Sequence, residues 1–121
     1  MGEILRKNID KADEVRTFDK GTLEIVTVGD VIFGRAIFEP GWRWSESVKP
    51  IVGGDSCQHA HKTYVLSGRL EVRLDDGTEM ELGPGDVAVI PAGHDAWVVG
   101  DESCVAVDFD DNSIEYAKPT S

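Results

Sequence analysis

Turn residues recur so often along this chain that little except short β-strands fits between them. Leu23–Val28 and Val31–Phe38 are split by Gly29-Asp30, a two-residue hairpin signal. Pro40-Gly41 ends the second run, and Gly53-Gly54 opens the next, which reads as a strand over Ser56–Leu66. Ser67-Gly68 turns into Arg69–Leu74, where apolar and polar residues alternate as in a half-buried strand. Asp75-Asp76-Gly77, Gly83-Pro84-Gly85-Asp86 and Pro91-Ala92-Gly93 then separate Thr78–Leu82, Val87–Ile90, Ala96–Val99 and Val105–Phe109. Short strands at regular spacing, with no long helical pattern, predict an all-β antiparallel sandwich or barrel.

The 121 residues suit one domain, and 40% hydrophobic content is enough for one core. We expect an N-terminal arm over residues 1–14, a barrel over 15–110 and a polar tail over 111–121. The segment MGEILRKNIDKADEV is charged throughout, and no apolar run approaches a membrane span, so the expected setting is soluble and cytoplasmic, with no membrane partner. A formal charge of −11 repels a phosphate backbone and argues against nucleic acid as a partner. Cys57 and Cys104 are too few for a disulfide framework and are expected as thiols.

All three histidines fall in two short segments, CQHAHKTYVLSG and GPGDVAVIPAGHDAW. Histidine is the commonest side-chain metal ligand, and scattered surface histidines would not pool in this way. Side chains two apart on a strand share a face, so Cys57, His59 and His61 would point together if the strand is regular through Gln58 and Ala60. His94 has the parity of Ala96. Apolar content does not choose the inward face, because Thr63 and Val65 share parity with His61 while Tyr64 and Leu66 lie opposite.

The order of these segments resembles the cupin superfamily of small jelly-roll β-barrels. Gly85 through Pro91-Ala92-Gly93 is similar to the opening of its second motif, and Tyr64-Val65-Leu66-Ser67-Gly68 to the close of its first. EPGWRWSESVKP, YVLSGRLEV and GHDAWVVGDE also look like one branch of single-domain bacterial cupins, and the resemblance covers roughly Val15 to Phe109. It implies a jelly-roll β-barrel, position 61 inside the barrel, and a homodimer formed through an N-terminal arm.

The ligand pattern departs from the family's. Counted back from Gly68, His61 takes the slot of the motif glutamate, Cys57 that of the second histidine and Asp55 that of the first; His59 is assigned none. The second-motif histidine is expected at Ala96, which cannot bind a metal, and His94 lies two residues earlier. The candidate ligands are therefore Cys57, His59, His61 and His94, with Asp55 nearby. Cys57 also reads as an ordinary buried apolar residue. One thiolate with two or three imidazoles suits one divalent transition metal, zinc first, with iron, nickel and copper as alternatives.

Trp44 and Trp97 are candidates to line a pocket for a small molecule, while Trp42 reads as a plug of the barrel. Arg35 could bind a substrate carboxylate. Asp95, beside His94, reads as an orienter of a ligand imidazole or as a turn residue. Phosphate loops and nucleophile elbows are absent. Two classes stay open: a metal-dependent enzyme acting on a small organic acid, and a non-enzymatic binding or sensing module.

Overall fold

A computed structural model of the chain describes residues 2–52, 54, 57 and 60–109. A 3-10 turn at Ile9–Lys11, closed by the Asn8 side chain accepting from Asp10 N, precedes the first strand. The strands are β1 (Glu14–Phe18), β2 (Gly21–Val28), β3 (Val31–Phe38), β4 (His61–Ser67), β5 (Leu70–Leu74), β6 (Glu79–Leu82), β7 (Val87–Ile90), β8 (His94–Val98) and β9 (Cys104–Asp108). Two single-turn helices, α1 (Trp44–Ser47) and α2 (Lys49–Val52), lie between β3 and β4. All strand pairs are antiparallel. They form a six-stranded sheet in the order β1-β2-β3-β9-β4-β7 and a three-stranded sheet in the order β6-β5-β8.

Alternation along the strands builds one core between the two sheets. Leu23 and Ile25 of β2, Ala36 and Phe38 of β3, Val65 of β4 and Ala106 of β9 enter it from the larger sheet. Leu70 and Val72 of β5, Leu82 of β6, and Ala96 and Val98 of β8 enter from the smaller. Trp44 and Val48, one helical turn apart, put the apolar face of α1 into the same cluster.

The Gly29-Asp30 hairpin forms as expected, with Val28 paired to Val31 and Gly29 at φ +61°. Gly68 is required twice over. Its φ is +76°, and a Cβ there would meet the Ser103 carbonyl oxygen and the Cys104 Cα. This close approach lets the turn after β4 pass β9.

The strand expected over Ser56–Leu66 does not form as one piece. Cys57 pairs with β8: its N donates to His94 O at 2.7 Å, and its O accepts from Gly93 N at 2.7 Å. From His61 onward the chain pairs instead with β7 and β9. The chain thus passes from the smaller sheet to the larger between residues 57 and 61, so these residues cannot share one regular strand. The first strand, β1, begins at Glu14, where the expected arm ends, and pairs with β2 of its own chain.

Candidate metal centre

The crossing between sheets brings Cys57 and His61 together. His61 opens β4, opposite Ile90 of β7, and has the inward parity of Thr63 and Val65; Tyr64 and Leu66 face outward. His94 opens β8 and is inward with Ala96 and Val98. Cys57 is held beside His94 by the backbone bridge. All three side chains are buried, and one donor atom from each lies within 4.8 Å of the others. His59 and Asp55 lie outside the described residues.

Hydrogen bonds set the tautomers. His94 Nδ1 lies 2.7 Å from Pro91 O, which only accepts, so Nδ1 carries a proton and Nε2 is the ring nitrogen left to face the cluster. His61 Nδ1 lies 3.1 Å from Asp108 Oδ2, and its Nε2 lies 3.6 Å from Cys57 Sγ. The two rings meet edge to face at 5.2 Å between centroids. A carboxylate or carbonyl behind each imidazole is how proteins fix metal-binding histidines.

The donor set fits a transition metal. Around a tetrahedral zinc, bonds of about 2.3 Å to sulfur and about 2.0–2.1 Å to nitrogen separate the two donors by roughly 3.5–3.6 Å. The Cys57–His61 separation of 3.6 Å matches that span.

The electrostatics agree. Burial opposes charge on Cys57, but the hydrogen bonds from His61 and His94 and their nearby charge outweigh it and bring the thiol down to about 6. Burial likewise opposes charge on His61, yet the hydrogen bonds to Asp108 and Cys57 lift it to about 10. Without a metal the two form a thiolate–imidazolium pair. Cys104, also buried, has no such neighbours among the described residues; burial and then the Glu102 charge push its thiol up to about 11.

A cavity of about 40 Å³ adjoins the histidines, lined by Phe38, Trp42, Trp44, Leu70, Ile90 and Asp108 among others. That is room for roughly three waters or one small molecule. Trp42 stacks on Phe38 at 4.0 Å, and its Nε1–H has no hydrogen-bond partner among the described residues. Leaving such a buried donor unmet costs about 1–3 kcal/mol.

The other residues singled out in the sequence fall elsewhere. Trp44 lines the cavity, but Trp97 lies under the Arg43 guanidinium, 4.4 Å from its centroid, and is not among the lining residues. Arg35 is also absent from the lining; it bonds Glu24 and Asp10 at 2.8 Å each, because its β3 position faces outward. Asp95 has outward parity on β8 and accepts from Arg43 Nε and Ser45 N, both at 3.1 Å. It ties the start of α1 to β8 rather than orienting an imidazole. The residue that does so is Asp108, which sequence reasoning missed. Its signal was a carboxylate at the inward parity of Cys104 and Ala106.

Residues 50–110 match the sequence model of the cupin domain family. The chain belongs to that family. Among solved structures, this cupin is similar to the polyketide cyclase RemF from Streptomyces resistomycificus, with a TM-score of 0.62 and 18% identity over 88% of this chain and 78% of that one. It is also similar to KdgF from a Halomonas species, with a TM-score of 0.58 and 19% identity over 90% and 92%. A sugar phosphate isomerase from a cupin superfamily, from Silicibacter pomeroyi, gives 0.59 and 18% over 86% and 73%. At these identities the likeness establishes the fold alone. No curated protein matches the chain in sequence.

Proposed function

We propose that this cupin holds one divalent transition metal through Cys57, His61 and His94 and binds a small organic acid beside it, as a metal-dependent enzyme. The observation that carries the reading is the convergence of those three buried donors within 4.8 Å. Zinc suits the mixed thiolate and imidazole set best, with iron, nickel and copper as alternatives. Three protein ligands leave a coordination position open, and a metal bound there would act as a Lewis acid on an oxygen of the bound molecule. Asp108 and the Pro91 carbonyl keep each imidazole in its metal-binding tautomer, while Trp42 and Trp44 wall the cavity against water.

The wider architecture completes the proposal. The two sheets are the halves of a jelly-roll barrel, a reading supported by their shared core and by the cupin neighbours. Two copies pair through the outer face of the larger sheet. There Tyr64, Leu66, Val87, Val89 and Phe109 are exposed apolar residues, and Lys62 together with the Arg35–Glu24 pair spares the face the acidity of the whole chain. No helix among the described residues is long and apolar enough to cross a membrane. The free thiols of Cys57 and Cys104 suit a reducing, cytoplasmic setting.

Elemental analysis of untagged protein tests the metal. About one equivalent of zinc, iron, nickel or copper, lost in both His61→Ala and His94→Ala, is the expected result. A second reading, a metal-free binding module, is favoured by one observation: the Cys57–His61–Asp108 chain already satisfies its own polar groups. Wild-type protein that stays metal-free after reconstitution would select it.

A further inference from the structure

We infer that Asp108 reads the cavity's ligand through its second carboxylate oxygen, so that the bound acid carries a hydroxyl group. This inference rests on the proposed function in placing a small organic acid in the cavity, and it adds the group that Asp108 recognises. Asp108 ends β9 on the inward face shared with Cys104 and Ala106, and stands opposite Thr63 of β4. It lines the cavity beside His61 and His94. One oxygen, Oδ2, is committed to His61 Nδ1 at 3.1 Å. The other, Oδ1, has no hydrogen-bond partner among the described residues. It is not sealed in: the side chain is 16% exposed, and Oδ1 is unpartnered without being buried, unlike Trp42 Nε1. An inward-facing oxygen that a small molecule can touch, on a residue of the cavity wall, is met from the cavity.

The polar groups on this wall offer lone pairs and not protons. A carboxylate only accepts. Thr63 lines the cavity next to it and gives its hydroxyl proton to Val107 O at 3.4 Å, which leaves the lone pairs of its oxygen. His61 and His94 turn their Nδ1 protons to Asp108 and to Pro91 O. The rings of Phe38, Trp42 and Trp44 and the Leu70 side chain make up much of the remaining wall. A ligand that fills the cavity therefore brings its own proton donor on one side and an apolar surface on the other. A hydroxyl bonds a desolvated carboxylate strongly, and it fits a space of about 40 Å³. An ammonium group also donates, but the metal cation held by His61 would repel it.

Two pairs of probes test this, each exchanging a hydroxyl for a carbonyl at nearly constant size. Lactate is compared with pyruvate on zinc-loaded protein, and 2-propanol with acetone on metal-free protein, by NMR titration. Wild type is expected to bind the hydroxyl member of each pair about tenfold more tightly. Asp108→Asn keeps an oxygen for His61 Nδ1 and presents an NH2 donor where Oδ1 stood. In that variant the preference is expected to shrink to within about twofold. Wild type that binds both members of a pair equally, or neither member of either pair, overturns the inference. A preference that survives unchanged in Asp108→Asn overturns it too, because the metal or the cavity shape would then be its source. Failure to load zinc would defeat the metal reading alone, since the metal-free pair still decides the role of Asp108.

Discussion

His61 of β4 and Asp108 of β9 meet at 3.1 Å between Nδ1 and Oδ2, on adjacent strands of the larger sheet. The carboxylate fixes the proton on Nδ1 and turns Nε2 toward Cys57. Asp108 is thus a positioning residue for the candidate ligand set, acting through His61.

Replacing Asp108 with Ala should lower zinc affinity by about 10–100-fold without unfolding the chain. Asp108→Asn, which keeps an acceptor without the charge, should fall between that variant and wild type. Competition against a chromogenic chelator measures both, and unchanged affinity in Asp108→Ala would remove the residue from the site.

The Cys57–His61 pair predicts a distinctive pH profile for the metal-free protein. Cys57 titrates in the fold at about 6 against an ordinary 9.0, so its contribution is present above 9.0 and is lost as pH falls through about 6. His61 titrates at about 10 against 6.5, so its contribution is present below 6.5 and is lost as pH rises through about 10. Between 6.5 and 9.0 the folded and unfolded pairs bind the same number of protons, and the pair adds no slope. Urea midpoints of wild type minus those of the Cys57→Ser/His61→Gln double variant should therefore be flat across that window and decline on either side. Differences that stay level below 6.5 and above 9.0 would show that the pair is not charged.

At Gly68 the expected effect is on stability. Gly68→Ala must hold a side chain at φ +76° and displace the backbone of Ser103 and Cys104, at a cost of about 3 kcal/mol. Chemical denaturation reads it directly. A change within about 0.5 kcal/mol would mean that the β4–β5 turn is looser than described.

Much of the fold was legible because alternation and turn chemistry are local. Gly29-Asp30 announced its hairpin, and residues 61, 63 and 65 share the inward face that the cupin register implied. His94 shares its face with Ala96, as parity required. Parity, however, says which residues share a face and not which sheet a strand joins. The passage from β8 to β7 and β9 between Cys57 and His61 was hidden for that reason. Asp95 illustrates the opposite error: proximity to His94 in sequence suggested contact, but adjacent strand residues point to opposite faces. Arg35 was misjudged likewise, since only its pairing partners show that β3 turns it toward Glu24 and Asp10. Trp42 was read as a plug, which its stacking on Phe38 supports, but an unmet indole N–H appears only in three dimensions.

Zinc K-edge X-ray absorption on the reconstituted protein tests the central claim most directly, because it reads the ligand atoms themselves. Coordination by Cys57, His61 and His94 predicts one sulfur at about 2.3 Å and two imidazole nitrogens at about 2.0 Å, with the sulfur lost in Cys57→Ser. A shell of oxygen and nitrogen alone in the wild-type protein would contradict it.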